Sequence, residues 1–191
     1  MIKMKKKKKK EADNTLAENH EHIDVIISHP EKFKVQVPQI KLLSSMICQL
    51  LGLEGWELCI KFVESDEIAY LNKLYRAKDR PTDVLSFPQQ EWPAPVRVHS
   101  VDAKLAKDAF NLLGDIVISL DEAQKNAEEI GQQLDREVCF LLVHGILHLC
   151  GHDHIKEYEE IIMLDEQKLI MSSLYDSNAE PFWQGCVRVS E

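Results

Sequence analysis

Residues 144–154 read His-Gly-Ile-Leu-His-Leu-Cys-Gly-His-Asp-His and follow the apolar run that begins at Val138. His144 and His148 are four residues apart, about one turn of an α-helix, so both side chains project from the same face. Two imidazoles buried on one helix are costly unless their nitrogens are satisfied, and a divalent metal ion satisfies them directly. Gly151 favours a left-handed end to the helix, after which the chain can turn back and bring in a third ligand. The stretch therefore predicts a three-histidine metal site.

Geometry favours His154 over His152 as the third ligand. On a straight helix His144 and His152 would lie about 12 Å apart, whereas two donors to one zinc ion cannot lie much more than about 4 Å apart. A histidine beyond a chain reversal meets this limit. The alternatives are histidines that pack in the core or lie on the surface without a metal, and Cys150 as a sulfur ligand. Because it stands one residue before the glycine turn, Cys150 is expected to pack as a small apolar residue.

Three protein nitrogens leave a fourth position for water, which is typical of a catalytic zinc site with one Zn²⁺ per chain. The spacing also matches the metzincin peptidase signature His-Glu-x-x-His-x-x-Gly-x-x-His, except that Gly145 replaces the general-base glutamate. Glycine inside a helix costs about 1 kcal/mol relative to alanine, so we interpret Gly145 as keeping space open beside the metal. A zinc metallopeptidase and a metal-stabilised binding module stay as alternative functions, but the missing carboxylate weakens the first.

Three blocks of this sequence together resemble the YbeY family, bacterial rRNA maturation factors that are zinc-dependent endoribonucleases. They are the histidine stretch, residues 81–88 (Pro-Thr-Asp-Val-Leu-Ser-Phe-Pro) with the Tyr-Arg pair shortly before them, and residues 113–119 (Leu-Gly-Asp-Ile-Val-Ile-Ser). The resemblance implies a single-strand-specific endoribonuclease that processes the 3′ end of 16S rRNA and acts in ribosome quality control. It implies single-stranded RNA or rRNA, the small ribosomal subunit and assembly factors as partners, and neither DNA nor a membrane.

The resemblance also assigns roles to individual residues: His144, His148 and His154 as metal ligands, with His144 and Arg76 catalytic. Arg76 is the expected substrate-binding residue, since a guanidinium fits a phosphate with two parallel hydrogen bonds. It stands in a polar connection, where binding residues are often found, and a solvated surface charge is the alternative. Asp153 is a candidate to accept the second N–H of a ligand histidine, unless it serves only the turn.

The predicted fold is of the α/β (α+β) class, a small mixed β-sheet packed with helices that include the metal-binding helix with metzincin-like histidine spacing. The 191 residues divide into a disordered Lys-rich tail (1–20), a YbeY-like endoribonuclease domain (21–175) and a C-terminal tail (176–191). Asp115 is expected to have a structural role at the start of a strand. The hydrophobic pattern predicts strands at 23–28, 56–63, 84–87 and 116–120, and helices at 37–51, 65–74, 121–130, 134–150 and 157–174.

Charge and cysteine content bear on the partners and the compartment. The formal net charge is −9, although residues 1–10 hold seven lysines; these lysines either tether ribosomal RNA or form an inert tail. Five cysteines without paired spacing indicate a reducing compartment, so a cytoplasmic location is expected. No apolar run approaches the roughly 20 residues needed to span a membrane.

The long segment 89–113 flanks the expected cleft, where it either alters substrate access or is a tolerated insertion.

Overall fold

The computed structural model describes residues 20–28, 31–98 and 111–190. The Lys-rich arm predicted to be disordered (apart from His20) and residues 99–110 of the long segment lie outside the described residues. The strands and helices, in chain order, are β1 (Ile23–Ile27), β2 (Phe33–Val35), α1 (Val37–Leu50), β3 (Glu57–Val63), α2 (Ser65–Arg76), β4 (Val84–Pro88), β5 (Leu112–Ser119), α3 (Leu120–Glu129), α4 (Leu134–Leu149), α5 (Glu157–Ser173) and β6 (Val187–Val189).

The main sheet has four strands in the order β1-β3-β5-β4. β1, β3 and β5 run parallel, whereas β4 lies at the edge and pairs antiparallel with β5. Parallel neighbours need crossover connections, and α1 and α2 lie in the connections that link these strands along the chain. The prediction of a small mixed sheet packed with helices is confirmed.

β5 begins at Leu112, earlier than the predicted start at Ile116, because the strand continues through Gly114. Gly114 has a φ of 141°, and a Cβ on it would lie 2.4 Å from the carbonyl oxygen of Phe87 in β4. The register with β3 also shifts at this point, as in a β-bulge. Gly114 and Asp115 interrupt the run of apolar residues, so the hydrophobic pattern predicted only the second half of the strand.

Helix α4 lies at the centre of the main hydrophobic core and contacts β4 and β5 on one face of the sheet. Helices α1, α3 and α5 surround it. Asp135 and Glu137 in its first turn suit the positive end of the helix dipole. The opposite face of the sheet is covered by α2 through a smaller apolar cluster of Val63, Ile68, Leu85 and Val117. The helix that carries the histidine pair is therefore held rigidly by packing on several sides.

Residues 176–190, predicted to form a tail, pack against the domain. β6 pairs antiparallel with β2, and Trp183 and Cys186 are buried. The backbone N–H of Gly185 donates to a carboxylate oxygen of Asp135 on α4, at 2.6 Å. Strands of three residues are too short to show a hydrophobic period, so β2 and β6 were absent from the prediction.

The predicted helices agree with the structure to within one or two residues at each end.

Candidate metal centre

Three histidines meet at the C-terminal end of α4. His144 and His148 project from the same face of the helix, and their Nε2 atoms lie 3.1 Å apart. His154 reaches them from beyond the end of the helix, so that one ring nitrogen from each residue lies within 4.8 Å of the others. Within the described ranges no other group of His, Cys, Asp or Glu side chains is arranged to hold a metal ion.

The turn after α4 brings His154 back to the helix. Gly151 has a φ of 83°, the left-handed conformation that the sequence predicted for this position. The N–H of His152 donates to the carbonyl oxygen of Leu147 at 3.0 Å, and that of Gly151 donates to His148 at 3.1 Å. The indole N–H of Trp92 donates to the carbonyl oxygen of Leu149 at 2.7 Å. These bonds satisfy carbonyls that the helix end leaves unpaired, and they hold the turn in place.

Two acceptors orient the helical pair. The Nδ1 of His144 lies 3.4 Å from Oε1 of Gln167, a buried residue of α5. The Nδ1 of His148 lies 2.9 Å from the carbonyl oxygen of His152. An imidazole that donates from Nδ1 presents the lone pair of Nε2, and in both residues Nε2 is the atom that faces the other histidine. Hydrogen bonds of this kind fix the tautomer and ring orientation of metal-ligating histidines.

Burial keeps the helical histidines neutral. Burial, assisted by the nearby His144, lowers the pKa of His148 to about 4. Burial is also the main cause that lowers the pKa of His144 below its ordinary value. Metal binding requires the deprotonated imidazole, so both residues are in the form that binds a cation at neutral pH.

Residues near the cluster have other partners. The Nε2 of His152 lies 2.6 Å from the carbonyl oxygen of Val96, and its ring is buried away from the three converging nitrogens. Cys150 is fully buried, which confirms the expectation that it packs as an apolar residue. Asp153 accepts the backbone N–H of His154 at 2.8 Å. This bond is turn chemistry, and the role of Asp153 toward a ligand imidazole stays a prediction.

The interpretation of Gly145 as an opening beside the metal is wrong. A Cβ at residue 145 would lie 3.0 Å from both Cδ1 and Cγ2 of Ile116 in β5. Gly145 is buried against the sheet, and its carbonyl oxygen accepts the hydroxyl of Ser86 in β4 at 3.2 Å. The glycine therefore allows α4 to approach the sheet closely, and a glutamate here would have to displace the side chain of Ile116.

A cleft of about 270 Å³ opens beside the cluster, between α4, α5 and the start of β4. His144 and His154 form one side of it, and Asp83, Phe140, Glu160 and Leu164 are among the other lining residues. A small concave site that combines apolar walls with a few polar groups is typical of a ligand-binding pocket.

Arg76 and Asp115 are placed outside the histidine cluster. Arg76 ends α2 and is exposed, and its side chain makes no hydrogen bond or ion pair with any of the described residues. Residues 77–83 lead from it directly to Asp83 on the wall of the cleft. Asp115 lies in β5, paired in register with Cys59 of β3.

Sequence reasoning gave no role to Gln167 or Asp83, and it placed Trp92 only within the segment 89–113 that flanks the expected cleft. Each lies at least 13 residues along the chain from the nearest of the three histidines, and no local spacing connects it to them. Asp83 carried the best available signal, since it stands in the Pro-Thr-Asp-Val-Leu-Ser-Phe-Pro block that supported the family resemblance. Its carboxylate accepts the N–H of Val84 at 2.9 Å and the amide of Asn126 at 3.1 Å.

The described α+β domain, with its histidine cluster at the end of a central helix and a cleft beside it, is built like a metal-dependent hydrolase. The family model for endoribonuclease YbeY matches residues 25–175. An endoribonuclease YbeY of Geobacillus sp. (strain WCH70) is 42% identical over 151 residues, which cover 78% of this chain and 94% of that relative. The chain belongs to the endoribonuclease YbeY family, as the three sequence blocks predicted.

A second relative supports the family assignment, and a solved structure has a similar fold. An endoribonuclease YbeY of Aquifex aeolicus (strain VF5) is 42% identical over 130 residues, which cover 68% of this chain and 77% of that relative. The fold is similar to the solution structure of TM1509 from Thermotoga maritima, with a TM-score of 0.51 and 24% sequence identity over 78% of this chain and 85% of that chain. None of the helices in the described ranges is long and apolar enough to cross a membrane.

Proposed function

We propose that this chain is a zinc-dependent endoribonuclease that cleaves single-stranded RNA during rRNA maturation, including the 3′ end of 16S rRNA, and in ribosome quality control. The observation that carries the proposal is the convergence of three imidazole nitrogens within 4.8 Å beside a cleft of about 270 Å³. Membership of the endoribonuclease YbeY family supports RNA as the substrate. The small ribosomal subunit, its assembly factors and a cytoplasmic location belong to the same proposal.

Zinc fits the donor set. His144, His148 and His154 would hold one ion per chain, with imidazole nitrogens that suit zinc far better than magnesium or calcium, which prefer oxygen ligands. Three protein ligands rather than four are typical of a catalytic site. When bound, such an ion polarises a phosphoryl oxygen and activates water for attack. The hydrogen bonds that His144 donates to Oε1 of Gln167 and that His148 donates to the carbonyl oxygen of His152 support the two helical ligands in the required orientation.

Arg76 would bind the phosphate. It is exposed and stands at the end of α2, whose last turn is closed by Ala77 in the left-handed conformation. The side-chain amide of Asn72, which is buried, donates to the carbonyl oxygen of Arg80 at 2.8 Å and anchors the connection that follows. A free guanidinium beside this anchored connection can donate two parallel hydrogen bonds to a phosphate and offset the negative charge that grows on its oxygens during cleavage.

Local basic groups are needed because the chain as a whole is acidic, with a net charge of −9. Arg76, Lys78 and Arg80 are all exposed on the connection that leads to the cleft. They would offset the unfavourable field that an acidic protein presents to a polyanion. The Lys-rich arm is a second candidate tether, and its role stays a prediction.

The proposal is tested with labelled single-stranded RNA, the same RNA in a duplex, and casein, each with and without a metal chelator. We expect cleavage of the single strand alone, its loss with chelator, and its recovery when Zn²⁺ is added back. Hydrolysis of casein without cleavage of RNA would replace the proposal with the peptidase alternative. RNA cleavage that the chelator leaves unchanged would contradict the metal-dependent mechanism.

A further inference from the structure

The cleft beside the histidine cluster has the size of a site for one small planar group. Its volume of about 270 Å³ is just below the range of about 300–1,000 Å³ that is usual for ligand pockets. Because His144 and His154 themselves line it, anything bound there lies directly beside the candidate metal site. For an RNA whose scissile phosphate is at that site, the nearest planar group is the base of an adjoining nucleotide.

The walls of the cleft are suited to stacking. Phe140 stands one helical turn before His144, and the two rings are nearly parallel, with an interplanar angle of 15° and centroids 6.3 Å apart. Phe140 is 36% exposed, and Leu164, on the opposing helix α5, is 42% exposed. Aromatic and apolar side chains that face water beside a polar site offer the surface on which single-stranded RNA stacks its bases.

The polar side chains of the cleft differ in whether they are free to form hydrogen bonds with a ligand. Gln167 is engaged by His144 and by the carbonyl oxygen of Phe140. Both carboxylate oxygens of Asp83 accept hydrogen bonds from neighbouring residues. The side chain of Glu160 makes no hydrogen bond or ion pair within the described part of the chain, although it lines the same cleft. Glu160 is therefore the acidic lining residue left to accept hydrogen bonds from a ligand.

An ionised carboxylate accepts hydrogen bonds and donates none. It would favour a base that carries an amino group over uracil, whose exposed edge is mostly acceptors. Guanine fits best, since its ring N–H and amino group point in the same direction and match the two oxygens of a carboxylate. The metal cleft thus contains the elements of base recognition: a stacking surface and one directed acceptor.

We propose that this cleft binds the nucleobase adjoining the scissile phosphate and that Glu160 makes it prefer guanine. The inference rests on the proposed endoribonuclease function. It assigns Phe140 and Leu164 to the stacking surface and Glu160 to the edge of the base.

The test uses single-stranded oligouridine substrates that carry one G, A, C or U at a defined position, with cleavage sites mapped and kcat/KM measured for each. We expect the unaltered protein to cut beside guanosine about tenfold more efficiently than beside uridine, the effect of about 1.4 kcal/mol from one well-formed pair. Glu160→Gln should remove most of this preference. Leu164→Ala should lower kcat/KM for all four substrates.

Matched controls are available on the same helix. Glu157→Gln alters an exposed acid of the same helical turn that does not line the cleft, and Leu169→Ala truncates a leucine with a similar exposure of 47%. Both should behave as the unaltered protein does. Zinc content and thermal unfolding of every variant show whether its fold and metal site are intact.

The outcomes separate the two proposals. If the unaltered protein cleaves none of the substrates, the endoribonuclease proposal fails. If it cleaves them without any base preference, or if the preference survives in Glu160→Gln and Leu164→Ala has the kcat/KM of its Leu169→Ala control, RNA cleavage stands and the nucleobase pocket is overturned.

Discussion

The Nδ1 of His148 lies 2.9 Å from the carbonyl oxygen of His152. The imidazole of His152 points the other way, with its Nε2 2.6 Å from the carbonyl oxygen of Val96. His152, which its spacing excludes from sharing a metal ion with His144, therefore has two other tasks. Its backbone carbonyl orients His148, a proposed metal ligand. Its side chain attaches the turn after α4 to the segment around Val96, which comes earlier in the chain. The backbone task survives replacement of the side chain, so variants at residues 148 and 152 should behave differently.

The first prediction concerns metal content. His148→Ala should lose zinc, because two ligands hold an ion much more weakly than three. His152→Ala should keep about one zinc per chain, although it removes a buried ring and is expected to unfold at a lower temperature. Elemental analysis of the purified proteins measures both. Zinc retained in His148→Ala, or lost only in His152→Ala, would contradict the ligand assignment.

The second prediction concerns Arg76. Arg76→Ala should keep the fold and the zinc but cleave single-stranded RNA about 10²–10³-fold more slowly, the range for removing one donor that stabilises developing charge. Arg136→Ala is a suitable control, since Arg136 is also exposed but lies at the start of α4. Single-turnover cleavage rates make the comparison. Equal rates for the two variants would identify Arg76 as a surface charge.

The third prediction concerns Gln167, whose Oε1 lies 3.4 Å from the Nδ1 of His144. Gln167→Leu should weaken zinc binding by about 10–100-fold, as expected when the partner of a ligating histidine is lost. Gln167→Glu should recover binding, because its carboxylate can accept the same N–H. Competition with a chromophoric chelator measures the affinities. If the Gln167→Leu and Gln167→Glu variants bind zinc with equal affinity, Gln167 fills space without positioning His144.

The fourth prediction concerns the contact between α4 and β5. Gly145→Ala gains about 1 kcal/mol of helix propensity, but its Cβ would lie 3.0 Å from two atoms of Ile116, and overpacking typically costs about 1–3 kcal/mol. We expect a net loss of stability that is smaller when Ile116→Val is also present. Denaturant unfolding of the four proteins gives the coupling. A Gly145→Ala protein that is more stable than its parent would refute the close-approach account.

The fifth prediction concerns pH and the metal-free protein. In the folded state the pKa of His148 is lowered to about 4, mainly by burial, and that of His144 is lowered for the same reason. The unfolded chain takes up protons near the ordinary histidine pKa of about 6.5, before the folded state does. The free energy of unfolding should therefore be constant above about pH 6.5 and fall toward pH 4. His148→Gln should flatten this slope, and an unchanged slope would mean that His148 is not buried as described.

Much of the candidate site could be predicted because it depends on neighbours along the chain. His144 and His148 share a face through helix geometry alone, and the stop at Gly151 is a property of one residue's backbone. The choice of His154 followed from the short distance allowed between two donors to one ion, which excludes His152 on a straight helix and favours a histidine beyond the chain reversal. The strands β2 and β6 could not be predicted in this way, since each has three residues and is stabilised by its partner at the far end of the chain.

The sequence by itself determined the helix with its histidine pair, the turn after it, the order of the main elements and the family. Tertiary structure alone decided which residues surround the cluster: Gln167 behind His144, Ile116 against Gly145, and Glu160 beside the cleft. The physical reason is separation along the chain. Local hydrogen bonding and hydrophobic periodicity act over a few residues, whereas these contacts form only when α4, α5 and the sheet pack together, and no local pattern records which side chains then meet.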